Sequence, residues 1–112
     1  MNLLFICSRN KWRSPTAENL WRRKPGFNAR SAGTAASARR KINEADLTWA
    51  DLIIVMEPKH RQQILQQFGS LVNKAKIYIL DIPDDYSFMD PELIEIFETA
   101  IPSVIDSAKA QV

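Results

Sequence analysis

Leu3-Leu4-Phe5-Ile6-Cys7-Ser8-Arg9-Asn10-Lys11-Trp12-Arg13-Ser14-Pro15 is the stretch that decides the fold. Leu3 to Ile6 form a short apolar run of the kind a buried strand requires. Pro15 suits the first turn of a helix, where a missing N–H costs nothing, and Ala17, Leu20 and Trp21 continue that helix with an apolar face. Between strand and helix lies a loop that opens on Cys7, the only cysteine of the chain. Such a junction brings unpaired backbone N–H groups and the positive end of a helix dipole onto whatever anion the loop encloses. Arg13 adds a planar fork that can grip two oxygens of one phosphate, which a lysine cannot do. The same field favours a thiolate at Cys7, and Ser14 offers it a hydroxyl donor. The stretch reads as a phosphate pocket with a nucleophile at its base. Core packing is the rival account of Cys7, since a free thiol behaves as a small hydrophobe. That account explains neither an arginine at the positive end of a helix nor the Ser14-Pro15 start.

Outward from this junction, further strands are expected near residues 28 to 32, 51 to 56 and 76 to 81, after a first strand at 2 to 6. Helical patterns run from Pro15 to Arg23 and from Lys59 to Phe68, with Ile64, Leu65 and Phe68 on an apolar face and Gly69 as a natural stop. A short helical turn is expected over Asn43 to Trp49. Asp90-Pro91 makes a good start for a last helix through Leu93, Phe97, Ile101 and Val104, which Pro102 would kink or shorten. Strands alternating with helices predict an α/β fold: a three-layer domain with a four-stranded parallel sheet, order 2-1-3-4, and helices on both faces. Ligands of such sheets bind beyond the carboxyl ends of the strands where the order reverses, which is where Cys7 falls.

The 112 residues suffice for one domain, residues 1 to 112, with an ordinary core and no need of disulfides or a structural metal. A hydrophobic content of 46% with 25% charged residues excludes disorder. A net charge of +2 gives no ground for nucleic acid, and no apolar run spans a membrane. Neither the start of the sequence nor a lone reduced thiol suggests secretion, so a cytoplasmic protein is expected. The basic runs Arg22-Arg23-Lys24 and Arg39-Arg40-Lys41 read as a helix end and a solvated turn, and His60 as a solvated residue on a polar helix face. No His, Cys and carboxylate set stands at ligand spacing, so neither metal nor cofactor is expected.

Cys7, five intervening residues, Arg13 and then Ser14-Pro15 form the signature of cysteine-dependent phosphatases, and the run resembles the low-molecular-weight protein tyrosine phosphatases. Asn10 falls where that family has its loop asparagine. Thr16-Ala17-Glu18, Ser31-Ala32-Gly33-Thr34 and the segment from Asp51 to Glu57 match its helix, second strand and third strand. Ile82-Pro83-Asp84-Asp85-Tyr86 resembles the loop that carries its general acid. Departures mark a short, divergent member: Arg9, Lys11 and Trp12 replace a glycine, a small residue or threonine, and a second cysteine, and the connection from Thr34 to Arg40 is shortened.

The resemblance implies a phosphomonoester hydrolase, a protein tyrosine phosphatase acting through a phosphocysteine on a phosphorylated protein or a small aryl phosphate. Cys7 would be the nucleophile and Arg13 the phosphate clamp. Ser8, Arg9, Asn10, Lys11, Trp12 and Ser14 would complete the phosphate loop, with Asn10 holding its shape and Ser14 donating toward Cys7. Asp84 would be the general acid, with Asp85, Asp81 and Asp90 as alternatives, Asp90 having helix capping as its own explanation. Trp12, Tyr86 and Phe88 would form the pocket rim, with core packing as the rival for each. Arg9 and Lys11 would repel a cationic phosphoarginine. Two other functions fit the same residues: a module that holds phosphate without cleaving it, and an arsenate reductase, which with one cysteine would need an external thiol.

Overall fold

A computed structural model describes residues 1–110. The strands β1 (Asn2–Cys7), β2 (Asn28–Gly33), β3 (Leu52–Val55) and β4 (Ile77–Ile79) form one sheet of order β2-β1-β3-β4, every pair parallel. The helices are α1 (Arg13–Trp21), α2 (Glu44–Trp49), α3 (Pro58–Phe68) and α4 (Pro91–Ala110).

Side-chain alternation along the strands divides the core in two. Leu3, Phe5 and Cys7 of β1 join Leu52 and Ile54 of β3 under Trp21 of α1 and Leu93, Phe97 and Ile101 of α4. Leu4 and Ile6 join Ile53 and Val55 under Leu47 of α2 and Ile64 of α3. Burial on both faces explains why these strands read as unbroken apolar runs. It also fixes register, because a shift of one residue would exchange the two faces.

Helix α3 stops at Phe68 with Gly69 as its C-cap, as the sequence predicts, and a 3-10 turn, Gly69–Leu71, follows directly because Gly69 has a right-handed φ of −44° rather than a left-handed one. The last helix differs from the expectation. Pro102 does not end α4, which continues to Ala110. The proline removes one backbone hydrogen bond, but Phe97 and Ile101 before it and Ile105 after it are buried in one core cluster, which favours continuing the helix past it. No helix among the described residues is long and apolar enough to cross a membrane.

Candidate active site

The loop from Cys7 to Arg13 lies where β1 passes into α1, next to the ends of β2 and β3. Its backbone is held by the chain beyond β2: Thr34 N–H donates to Cys7 O, Ala35 N–H to Ser8 O and Arg39 N–H to Arg9 O, at 2.9 to 3.1 Å. The fit requires glycine at position 33, since a Cβ there would lie 2.5 Å from Ser8 O and 2.6 Å from the Ala38 side chain. At the loop's sharpest turn Asn10 has a φ of 55°, the left-handed region that asparagine tolerates better than most residues.

Buried side chains fix the inner surface of the loop. Asn10 Nδ2 donates to Ser14 Oγ and to Ser31 Oγ, both at 2.9 Å. Ser31 in turn donates to Glu18. Ser14 therefore accepts from Asn10 and keeps its own proton for Cys7 Sγ, which lies 2.9 Å away. The network branches at Asn10: one arm runs through Ser14 to the sulfur, and the other through Ser31 to Glu18.

Arg13 is 2% exposed. Its Nη1 donates to Glu57 Oε1 at 2.5 Å and to Ile82 O at 2.8 Å. These contacts pin one end of the guanidinium to the end of β3 and to the segment after β4, leaving the Nε–Nη2 edge for a ligand. Nε lies 3.5 Å from Asp84 Oδ1 and has no hydrogen-bond partner among the described residues. Burial opposes ionisation of Glu57, but the Arg13 hydrogen bond and charge, with Lys59, outweigh it and hold the carboxyl below its usual range.

Cys7, Arg9, Lys11, Trp12, Arg13 and Asp84 line one cleft. Of the four candidate acids, Asp84 is the one brought to it. Asp90 Oδ1 instead accepts from Glu92 N–H at 2.9 Å and caps α4. Tyr86 packs against the core on the α1 and α4 side, and Phe88 lines a neighbouring groove. Thr16 Oγ1 ties the acid loop to α1 by accepting from Met89 N–H at 2.9 Å. Among the described residues, no group of three or more His, Cys, Asp or Glu is arranged to hold a metal.

One surface assignment is refined by the structure and one is corrected. Arg39 and Arg40 do lie on a solvent-facing bend, but both are anchored: Arg39 Nε donates to Asn10 O at 3.0 Å, and Arg40 pairs with buried Asp46 at 2.5 Å. His60 is fully buried. Helix α3 begins at Pro58, and its first turn rolls the imidazole under the loop. Glu57 N–H donates to His60 Nδ1 at 3.0 Å, so Nε2 carries the proton and gives it to Ser8 Oγ at 2.8 Å. Glu57 and His60 thus complete the site beneath Arg13 and Ser8. Neither was read from sequence as part of the site, although the His three residues after Glu57, with Pro58 between them, fits a helix start whose side chain folds back on the preceding N–H.

Burial, then the nearby Arg13 charge, lowers the His60 pKa from 6.5 to about 4. The imidazole is therefore neutral when folded but protonates near its ordinary value when unfolded. Its contribution to stability is full above pH 6.5 and is lost as the pH falls toward 4. The loss is of order 2–3 kcal/mol across that window. Urea denaturation at pH 7 and pH 4.5 is expected to show this slope, with His60→Gln flattening it. Equal slopes in both proteins would dissociate His60 from the acid sensitivity.

No protein-family profile matches the chain. Its sequence is 31% identical over 102 residues to the protein-arginine-phosphatase of Bacillus subtilis (strain 168), covering 67% of this chain and 68% of the relative. Among solved structures, the YwlE arginine phosphatase from Geobacillus stearothermophilus superposes with a TM-score of 0.70 at 20% identity, covering 98% of this chain and 92% of that one. The low-molecular-weight protein tyrosine phosphatase from T. tengcongensis gives 0.71 at 22% identity, covering 100% and 99%. The tyrosine phosphatase Wzb from Escherichia coli K30, in complex with phosphate, gives 0.69 at 25% identity, covering 97% and 96%.

Proposed function

Because the chain belongs to the low-molecular-weight protein tyrosine phosphatase family, we propose that it is a protein phosphatase that cleaves phosphotyrosine through a phosphocysteine at Cys7. The observation that carries this reading is the shared cleft of Cys7, Arg13 and Asp84. Phosphate enters with two oxygens on the Nε–Nη2 edge of Arg13 and the others on loop N–H groups. The Cys7 thiolate attacks phosphorus; the S–P bond forms as the P–O bond to the leaving group breaks, and Asp84 gives its proton to the departing oxygen. Water then attacks phosphorus with Asp84 as base, releasing phosphate and restoring the thiolate. Arg13 and the loop donors neutralise the equatorial oxygens in both steps.

Phosphotyrosine is favoured by the cations at the mouth. Lys11 and Arg9 line the cleft and would repel the guanidinium of a phosphoarginine. The Bacillus subtilis relative supports phosphoarginine as the second reading. A reducing cytoplasm suits a catalytic thiol with no second cysteine to protect it.

Hydrolysis of p-nitrophenyl phosphate is expected to show a burst of p-nitrophenol, with phosphate recovered on Cys7 after rapid quenching. Phosphate binding without p-nitrophenol release would instead establish a phosphate-holding module. Phosphotyrosyl peptides are expected to exceed matched phosphoarginyl peptides in kcat/KM, and the reverse order would assign the second substrate. Asp84→Asn is expected to lower kcat on aryl phosphates by roughly 10²–10³-fold. Asp85→Asn and Asp90→Asn are expected to leave it within about threefold, as for surface groups outside the cleft. A larger loss from either would move the proton donor there.

A further inference from the structure

Beside the catalytic cleft runs a second groove of about 400 Å³, and Lys11 belongs to the walls of both. Arg22 at the C-terminal cap of α1 and Arg39 beyond β2 line the groove as well, with the half-exposed ring of Phe88 on its flank. Among the described residues, none of these three cations pairs with a carboxylate. Glu18 is the one acid in the lining, and Ser31 already donates to it. Arg39 is anchored through Nε on Asn10 O, which places its charge against the phosphate loop. Isolated surface cations are ordinary; here three converge on a concave wall continuous with the catalytic cleft through one shared lysine.

We propose that this groove is a specificity subsite that receives acidic side chains flanking the phosphorylated residue of a substrate protein. The inference rests on the phosphatase reading and adds a substrate class to it. With the phosphoryl group held over Cys7, the neighbouring residues of an extended peptide leave the cleft past Lys11 and pass between Arg22, Arg39 and Phe88. Glutamate or aspartate there meets three cations, whereas lysine or arginine is repelled.

The test compares kcat/KM for two phosphotyrosyl peptides, one with glutamate on both sides of the phosphotyrosine and one with glutamine, with p-nitrophenyl phosphate as the reference. At low salt the acidic peptide is expected to lead by about 5- to 10-fold, the sum of a few exposed ion pairs, and the lead shrinks as salt rises. Arg22 lies outside the phosphate loop. Arg22→Glu is expected to remove most of the lead while leaving p-nitrophenyl phosphate turnover within about twofold, since surface changes away from the cleft have small effects. Equal rates for the two peptides in a protein that turns over p-nitrophenyl phosphate would overturn the groove alone. Failure to turn over any aryl phosphate would overturn the phosphatase reading. The groove then stands or falls by fluorescence anisotropy of the two peptides on Cys7→Ser protein, where equal affinities overturn it. Phosphatidylserine vesicles that bind more tightly than the acidic peptide, in a manner Arg22→Glu abolishes, would assign the groove to a lipid surface and also overturn the proposal.

Discussion

Cys7→Ser is expected to lower aryl phosphate turnover by at least about 10⁴-fold, while inorganic phosphate binds within a few-fold of wild type. The exchange preserves shape: Ser14 Oγ, 2.9 Å from Sγ, can still meet the new hydroxyl, and Arg13 and the loop N–H groups are untouched. Nucleophilicity is what changes. A serine hydroxyl attacks phosphorus effectively only when a base removes its proton. The nearest imidazole is His60, and it has no lone pair to offer, because Nδ1 is engaged by Glu57 N–H and Nε2 gives its proton to Ser8. Asp84, in the proposed mechanism, serves the leaving oxygen instead. The readouts are p-nitrophenol release and a phosphate titration on the same preparation. Undiminished turnover would remove Cys7 from the chemistry. Loss of phosphate binding together with turnover would mean that the sulfur shapes the loop.

The parts of this molecule legible in the sequence are those made by neighbours in the chain. Leu3 to Pro15 supply strand, loop and helix start consecutively, so the position of Cys7 follows from local pattern, and the order 2-1-3-4 follows from right-handed crossovers between parallel strands. Asp84 required the family resemblance, since turn chemistry alone accounts for Pro83-Asp84-Asp85. What escaped is what the fold assembles at a distance. The helix-start pattern at Glu57-Pro58 can place the His60 ring against the preceding N–H, but it does not reveal the loop above it, which comes from residues 52 positions away. Arg39 and Arg40 face solvent as read, but their anchors escaped because Asn10 O and Asp46 come from other segments. Pro102 misled in the opposite direction: a local rule predicted a kink or a shortened helix, yet α4 runs on to Ala110 with buried residues on either side of the proline. The connection after Thr34 does more than join β2 to α2. Its backbone and Arg39 brace the loop from Cys7 to Arg13 with a few well-placed hydrogen bonds.

Arg13→Lys is expected to cost roughly 10²–10³-fold in kcat/KM on aryl phosphates, more than its retained charge would suggest. In the wild type one guanidinium performs two tasks at once. Nη1 holds Glu57 and Ile82 O, tying the end of β3 and the acid loop to the phosphate loop, while the Nε–Nη2 edge lies toward the cleft beside Asp84. A lysine ammonium is a single point. If it stays with Glu57, the phosphate loses its bidentate grip; if it turns to phosphate, it leaves the partly buried Glu57 with the exposed Lys59 as its remaining partner. Folding should suffer less than catalysis, because a cation still faces Glu57. Arg13→Met, which removes the charge, is expected to destabilise by about 3 kcal/mol, toward the low end for breaking a buried pair because Glu57 keeps some contact with water. Urea denaturation of both variants, set beside p-nitrophenyl phosphate kinetics and phosphate affinity, separates the two tasks. Near-normal stability with a large loss of both phosphate affinity and kcat/KM in Arg13→Lys is the signature of a clamp. Near-normal turnover in that variant would show that the loop N–H groups bind the transferring phosphoryl group unaided and reduce Arg13 to a structural tie between strand and loop.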